Sequence, residues 1–355
     1  MNGTDLMRTS PVRRLVAALA VLLSISVVAA CASDGSASGD RTKLQISYQD
    51  TAFPALIEAS GVLNGADFDV SWNTLTGPAA NLQALYAGAI DLGHMGDTSL
   101  TIEQANSKTP WTKDNAPLEI VAGWRNNYDP TYAPLVTAVR TSSGINDLSQ
   151  LRGHSWAFNF GGYNHAQYLV SLVKAGLTPQ DITPVQFADG ATSASAFNSG
   201  RTDVFSGGHG AILAPLQAGQ AKILLTDKDA GIPALNVWTA SRKALNDPKK
   251  DAALKDYFAR LSGFWPWYNA HPDQAKAIIA KQLKVDPART DFEYQVRGGS
   301  FWQFDDHLLA QEQQVAQTLD DGKAISQLPD VKIGFDPRYN DAQKAISSQQ
   351  AQATP

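Results

Sequence analysis

The strongest constraint on the fold of this chain is an alternation of short apolar strands with helical segments. Residues 44–48 and 68–72 alternate apolar and polar side chains as strands do, and Gly77-Pro78 opens a helix after the second strand. Three more strands are predicted in the same half, at 89–93, 118–124 and 134–139. Strands separated by helices predict an α/β fold with mostly parallel sheets and helices on both faces.

The same alternation then begins again. The second half predicts strands at 155–159, 185–187 and 202–205, with helices at 164–174 and 191–198 between them. Two such halves predict two lobes. A ligand is then expected in the cleft between them, outside the carboxyl ends of the strands. From about residue 242 the pattern becomes helical.

The N-terminal segment has the pattern of a secretory signal peptide. Arg8, Arg13 and Arg14 precede an apolar run at 15–28, which is shorter than the roughly 20 residues that a bilayer core requires. Val-Ala-Ala-Cys at 28–31 resembles the bacterial lipobox and contains the only cysteine of the chain, Cys31. A small, polar stretch follows to residue 41. We therefore predict a signal peptide at 1–30, a lipidated Cys31 and a flexible tether at 31–41.

Composition excludes several classes of protein. The net charge is −5, and because residues 1–30 contribute +2, the mature chain carries about −7. No Lys/Arg-rich run suggests nucleic acid, and no second apolar segment has membrane-spanning length. A single cysteine allows neither a disulfide framework nor a thiolate metal site. We predict no cofactor and no metal.

Four segments carry a resemblance to a known family. They are 44–61, the run Gly-Ala-Ile-Asp-Leu-Gly at 88–93 continuing to Gly96-Asp97-Thr98, the stretch 155–182, and Ala-Phe-x-x-Gly-x-x-Asp-Val at 196–204. In this order they resemble the extracytoplasmic solute-binding proteins of ABC importers, specifically the sulfonate/nitrate/taurine-binding group with a two-lobed, type II periplasmic-binding-protein-like fold. The resemblance spans most of residues 42–326.

The resemblance implies the architecture and the role. Lobe I is expected at 42–140 and again at 240–330, lobe II at 141–239, and a C-terminal extension at 331–355, with crossings near 141–145 and 236–240. Such a monomeric lipoprotein would capture a small organic anion by hinge closure, an aliphatic sulfonate or a taurine-like compound first, at the outer face of the cell membrane. It would deliver the solute to an ABC permease.

One segment departs from the sulfonate-binding pattern. After the strand that contains Asp203, those proteins usually show an aromatic and an acidic residue before a proline. Here the chain reads Phe-Ser-Gly-Gly-His-Gly at 205–210, where Gly208 would let the backbone approach a ligand and His209 would supply a donor. This leaves the solute open, so nitrate or a thiamine-precursor-like heterocycle stays an alternative.

Helix starts supply the physical case for an anion site. A strand ends in a glycine-containing turn that opens a helix at 76–78, at 96–99 and at 161–164. Free N–H groups and the positive end of the helix dipole favour an anion there. The predicted ligand-binding residues from these turns and the segment at 205–210 are Gly96, Thr98, Gly162, Tyr163, Asn164, His165, Gly208 and His209.

Other candidates follow strand ends. Asp97 either caps a helix or binds an amino group of the ligand, and Arg125 would supply a cation beside Trp124. Trp238 would pack on the organic part of the ligand. Gln49 and Thr51, which follow the first strand, complete the predicted ligand-binding set.

An enzyme is the alternative of a different class. The fold of this family is also used by a desulfinase and by thiamine-precursor enzymes, which employ a cysteine nucleophile or a cofactor lysine. Because Cys31 lies outside the predicted globular part, and because no G-x-S-x-G, H-E-x-x-H or Walker pattern occurs, we predict a binding protein and no catalytic residues.

Overall fold

The computed structural model describes residues 41–126 and 129–344. The predicted signal peptide, the tether with Cys31, and the last part of the predicted C-terminal extension lie outside the described residues. Among the described residues, no helix combines the length and the apolar character needed to cross a membrane.

Strands and helices alternate from the first described residues, as predicted. The first segment contains β1 (Thr42–Tyr48), α1 (Ala52–Ser60), β2 (Phe68–Thr74), α2 (Pro78–Tyr86), β3 (Leu92–Gly96), α3 (Thr98–Ala105) and β4 (Leu118–Arg125). The second contains β5 (Leu135–Arg140), β6 (Ser155–Asn159), α4 (Gly162–Lys174), β7 (Thr183–Phe187), α5 (Gly190–Asn198), β8 (Val204–Gly208), α6 (Leu213–Gln217), β9 (Ala221–Thr226) and α7 (Asp227–Ala230).

The rest of the chain is mainly helical. It contains β10 (Asn236–Ser241), α8 (Arg242–Leu245), α9 (Pro248–Leu261), α10 (Phe264–Ala270), α11 (Pro272–Leu283), α12 (Pro287–Arg297), β11 (Ser300–Phe301), α13 (Asp306–Asp321) and α14 (Val331–Gly334). Short 3-10 turns lie at Pro130–Tyr132, Thr141–Ser143, Leu148–Gln150, Pro179–Asp181 and His209–Ile212.

Two sheets form the centres of two lobes, which confirms the predicted fold class. One sheet has the order β11-β4-β10-β3-β1-β2 and the other β7-β6-β8-β5-β9. The sheets are mixed, whereas the sequence pattern predicts mostly parallel ones. The physical reason is that the first strand after each crossing runs against its neighbours: β10 lies antiparallel between β3 and β4, and β5 lies antiparallel between β8 and β9. The short β11 also pairs antiparallel with β4.

Strand pairing also moves the predicted lobe boundaries. β5 bonds to β8 and β9, so it belongs to lobe II and the first crossing lies before it, between β4 and β5, not at 141–145. β10 bonds to β3 and β4, so the second crossing lies between α7 and β10, before the predicted 236–240. Both corrections have one cause: the crossing strands look alike in sequence whichever sheet they join.

The C-terminal part belongs to the globular unit through residue 344, where the sequence predicts a polar extension. Phe335, Tyr339 and Ala342 are buried, and Asp336 N–H donates to the carbonyl of Ile120 in β4. Helix α13 packs on α3 of lobe I and on α4 of lobe II. Burial of these scattered apolar residues against β4 and α9 holds the segment, and their spacing alone does not show it.

Candidate functional site

A cleft of about 330 Å³ lies between the lobes, at the carboxyl ends of several strands. Both lobes contribute its walls: residues after β1 and β2, the starts of α4 and α5, the turn after β8, and one face of α12. The lining residues are Tyr48, Gln49, Asp50, Phe53, Thr76, Gly77, His94, Trp124, Pro134, Tyr163, Asn164, Asp189, Gly190, Ala191, Gly208, Gly210, Ala211, Asn236, Arg289, Phe292, Glu293, Val296 and Arg297.

Three helix N-termini from both lobes meet at this cleft. Gly77 precedes α2 in lobe I, Gly161 precedes α4 in lobe II, and Asp189 precedes α5 in lobe II. A Cβ on Gly77 would lie 2.6 Å from the carbonyl oxygen of Ala188, which shows how closely the two lobes approach there. Within the described residues, α2 and α4 have no side-chain cap, so no side chain occupies the N–H groups of their first turns; in α2 these begin at Ala79, because Pro78 has none.

This convergence corrects the predicted set of helix starts. The starts of α2 and α4 border the cleft as predicted, but the start of α3 is buried beneath it and the start of α5 takes its place. The carboxylate of Asp189 is occupied by the N–H and hydroxyl of Thr192. The starts of α2 and α4 therefore offer uncharged donors to an anion, whereas the start of α5 carries the carboxylate of its cap.

Aromatic rings form one wall of the cleft in lobe I. The Phe53 ring lies 5.2 Å from that of Tyr48 and 5.2 Å from that of Trp124, and the His94 ring lies 4.8 Å from that of Tyr48. Trp124 Nε1 donates to His94 Nε2 at 3.3 Å, and burial lowers the pKa of His94 to about 3. His94 is therefore neutral at physiological pH, and this wall is uncharged.

Four of the five charged residues that line the cleft form a chain of ion pairs, and the fifth, Asp189, caps α5. Arg297 lies 2.7 Å from Asp50 and also pairs with Glu293, and Arg289 Nε donates to Glu293 at 2.6 Å. Burial tends to raise the pKa of Asp50, but Arg297 and the N–H groups of Ala52 and Phe53 hold that pKa below its ordinary value. Two carboxylates and two guanidinium groups thus balance one another, and the chain links α12 to the start of α1.

Helix α12 also contacts lobe II. The Phe292 ring lies 4.6 Å from the ring of His209 and 5.6 Å from that of Tyr132. A Cβ on Gly210 would lie 2.8 Å from the Phe292 ring and 2.9 Å from the Arg289 guanidinium. The glycine in this turn therefore makes room for α12.

Five of the predicted ligand-binding residues line the cleft: Gln49, Trp124, Tyr163, Asn164 and Gly208. Asn164 Nδ2 donates to Asn159 at 2.6 Å, whereas its Oδ1 is buried and has no partner among the described residues. Tyr163 donates its hydroxyl proton to Asn236 at 3.2 Å, which joins the two lobes across the cleft. These five residues stay candidates for contact with a ligand.

The other predicted residues lie away from the cleft lining. Thr51 precedes α1 and is exposed, and Trp238 is fully buried, donating from Nε1 to the hydroxyl of Tyr48. His165 stacks at 5.3 Å on Phe158, and burial lowers its pKa to about 4. His209 is buried against Phe292, and burial lowers its pKa as well.

Gly96 and Gly162 serve the contact between lobes. A Cβ on Gly96 would lie within 2.8 Å of three Tyr163 ring atoms, and one on Gly162 would lie 3.0 Å from the Ser99 hydroxyl. Sequence reasoning placed both glycines near the ligand because glycine permits close approach. In the structure, each of these glycines instead permits close approach of a side chain from the other lobe.

Asp97 and Thr98 are fully buried below the cleft, and Asp97 has a structural role. Its carboxylate accepts from Thr98 N–H at 2.6 Å and from Leu235 N–H at 2.6 Å, which joins the predicted helix cap to the second crossing. Burial raises the pKa of Asp97 to about 6. Of the two roles left open for Asp97, capping fits this position.

Arg125 lies at the lobe crossings. It is 1% exposed, lies 3.6 Å from Asp227, and donates to the carbonyl of Asn126 at 2.9 Å. Burial raises the pKa of Asp227 to about 6, although Arg125 counteracts this shift. Arg125, which was predicted to supply a cation to the ligand, thus contacts residues at both lobe crossings.

Sequence reasoning missed the cleft face of α12. Arg289, Glu293 and Arg297 recur at i, i+4 spacing after the cap Asp286 and Pro287, a pattern that predicts a helix with internal ion pairs. Nothing in the spacing shows that this helix reaches the other lobe. In the described residues, no group of three or more His, Cys, Asp or Glu side chains could hold a metal ion.

Comparison with known proteins gives one relative in sequence and many in structure. No protein-family profile matches the chain. It is 28% identical over 269 residues, 75% of this chain and 78% of the relative, to an Escherichia coli (strain K12) protein provisionally described as an aliphatic sulfonates-binding protein.

Solved structures share the fold. The alkanesulfonate-binding protein SsuA from Xanthomonas axonopodis pv. citri, bound to MOPS, matches with a TM-score of 0.70 and 20% identity over 84% of this chain and 99% of that one. The periplasmic aliphatic sulphonate-binding protein SsuA from Escherichia coli matches with a TM-score of 0.66 and 22% identity over 82% and 91%. The desulfurization enzyme DSZB matches with a TM-score of 0.56 and 15% identity over 87% of this chain and 100% of that one.

Proposed function

We propose that this chain, which is related to the aliphatic sulfonate-binding proteins of ABC importers, is an extracytoplasmic solute-binding protein. It captures an organic sulfonate between its lobes and delivers it to an importer permease. The observation that carries this proposal is the meeting of the α2, α4 and α5 N-termini at one interlobe cleft.

The chemistry of the cleft suits a sulfonate. This group stays ionised across physiological pH, so it needs no proton from the protein and is held well by neutral N–H and amide donors. Helix N-termini supply such donors together with a favourable dipole. The arginines of α12 are balanced by Asp50 and Glu293, so the acid group is assigned to the start of α4 near Asn164, which has no charged cap.

Catalysis is the weaker proposal. The desulfurization enzyme shares the fold, and the family resemblance implies a cysteine nucleophile for desulfinase chemistry. The only cysteine here is Cys31, outside the described residues. We therefore assign the cleft to binding and release.

A ligand panel tests the proposal. The purified chain without residues 1–31 would be screened by thermal shift and calorimetry against alkanesulfonates, taurine, arylsulfonates, nitrate and a pyrimidine. A ligand that binds only the folded state raises the melting temperature. Stabilisation by nitrate or the pyrimidine, with none by any sulfonate, would contradict the proposal.

Asn164→Ala should weaken binding of the best sulfonate about tenfold. The substitution removes a neutral amide at the start of α4, and one hydrogen bond to a charged group contributes roughly 1.5–3 kcal/mol. Calorimetry measures the change. Asn106→Ala, which removes the same side chain from an exposed helix end, is the matched control and should leave the affinity unchanged. Equal affinities of the two variants would contradict the assignment of the ligand's acid group to the position near Asn164.

Cys31→Ser should release the protein from the membrane. Two acyl chains hold a protein stably on a bilayer, whereas an unacylated one has no such anchor. Fractionation of cells that express each form, followed by immunoblotting, measures the distribution. Wild-type protein that washes off membranes at high salt would show that Cys31 is not lipidated.

A further inference from the structure

We propose that the organic group of the bound sulfonate is a ring, so that the protein prefers arylsulfonates and other ring-bearing sulfonates to linear alkanesulfonates. The inference rests on the proposed function and adds the class of ligand. It follows from the aromatic wall, from the charge of the cleft, and from its size.

The aromatic wall presents several rings at one place. The ring centroid of Phe53, at the start of α1, lies 5.2 Å from that of Tyr48, 5.2 Å from that of Trp124 and 5.8 Å from that of His94. Tyr48, Phe53, His94 and Trp124 all line the cleft. Offset and edge contacts between rings at 4.5–7 Å stabilise aromatic pairs beyond the burial of their area. A ring in the ligand would extend this cluster.

The cluster carries no charge that would favour a polar chain. His94 is neutral because burial lowers its pKa, and its Nε2 already accepts from Trp124. The other ionised side chains of the cleft, apart from Asp189 at the start of α5, stand on α12 and at Asp50, where they pair with one another. The start of α4, which has no charged cap, and the uncharged aromatic wall thus divide the ligand into an acid end and an apolar end.

The cleft has room for a ring. Its volume of about 330 Å³ is at the lower end of the roughly 300–1,000 Å³ of sites that hold drug-sized ligands. A two-carbon sulfonate would leave much of this space to water, whereas a ring beside the acid group would reach the wall.

Two sulfonates with six carbons each provide the test. Benzenesulfonate and hexane-1-sulfonate have the same acid group, but the hexyl chain has more apolar surface and loses more rotational freedom on binding. If apolar area alone decides, hexane-1-sulfonate binds at least as tightly. We expect benzenesulfonate to bind about tenfold more tightly by calorimetry, because of ring contacts and lower ordering cost.

Phe53→Leu identifies the wall as the cause. The variant keeps an apolar side chain but removes the central ring, so the preference for benzenesulfonate should fall from about tenfold to about twofold or less. Phe258→Leu, which removes a buried ring that is not among the cleft-lining residues, is the matched control and should keep the preference. A ratio of two affinities is unaffected when part of a variant preparation is unfolded.

The outcomes separate this inference from the function on which it rests. Tighter binding of hexane-1-sulfonate, or a ring preference that survives Phe53→Leu, would overturn the ring assignment and leave a sulfonate-binding protein. Binding of neither sulfonate, with binding of nitrate or a heterocycle, would overturn the proposed function and this inference with it.

Discussion

Gly96→Ala should weaken binding of the best sulfonate about a hundredfold. The new Cβ would lie within 2.8 Å of three ring atoms of Tyr163, which stands on the other lobe at the start of α4. The clash is relieved when the lobes separate, so the variant should favour an open form. An apparent dissociation constant rises in proportion to the loss of the binding-competent form, and a hundredfold rise corresponds to about 2.7 kcal/mol.

Calorimetry measures the affinity, and small-angle scattering with saturating ligand measures whether the lobes still close. Gly298→Ala is the matched control because Gly298 is not among the cleft-lining residues, has a φ of −68°, and a Cβ there would make no contact closer than 3.5 Å outside its chain neighbours. The control should bind and compact as the wild type does. If Gly96→Ala binds within twofold of wild type, Tyr163 moves freely and the contact does not limit closure.

Glu312→Gln should stabilise the protein at alkaline pH by about 2 kcal/mol. Glu312 of α13 is fully buried, and neither of its carboxyl oxygens has a hydrogen-bond partner among the described residues. Burial and the neighbouring Asp97 raise the pKa of Glu312 well above its ordinary value. A proton on either acid would supply the hydrogen-bond donor that the ionised pair lacks, so ionising both leaves a buried, unpaired charge, which is costly.

Proton linkage sets the direction in which stability changes with pH. Because the folded state holds this proton more tightly than the unfolded state, the free energy of unfolding of the wild type falls as the pH rises above the ordinary glutamate pKa. The glutamine amide would keep an N–H donor beside Asp97 at every pH, so the variant should lose less stability than the wild type as the pH rises. We expect the free energy of unfolding of Glu312→Gln to exceed that of the wild type at pH 8 and to differ much less from it at pH 5.

Urea unfolding at the two pH values measures this difference. Glu58→Gln changes an exposed glutamate and is the matched control, with no expected pH-dependent effect. A Glu312→Gln variant that is less stable than wild type at pH 8 would show that the carboxylate is satisfied there.

Local sequence rules predicted local structure well. Gly77-Pro78 begins α2, Asp97 caps α3, and 155–159 is a strand, because glycine, proline, caps and alternating apolar residues act within a few positions. The predicted strand at 89–93 is displaced from β3, Leu92–Gly96, because the flanking residues are also apolar and pairing with β1 and β10 selects the register.

The cleft needed more than local rules. Asn164 and Tyr163 were predicted because a helix N-terminus is a local feature. Thr98 and His165 were predicted on the same logic, and Arg125 from its place after a strand. Packing buries Thr98 and Arg125 and stacks His165 on Phe158, since which face of a turn meets the other lobe depends on how two sheets dock. Arg297 meets Asp50 over a separation of 247 residues, which no spacing in the sequence indicates.

By itself the sequence determined the alternation of strands and helices, the two-lobed α/β class, and the helix starts that suit an anion, because these depend on backbone preferences over a few residues. Only the tertiary structure decided which sheet β5 and β10 join, which glycines accommodate the other lobe, and that α12 borders the cleft. These follow from contacts between distant segments, whose free energy depends on burial and pairing after the lobes have assembled.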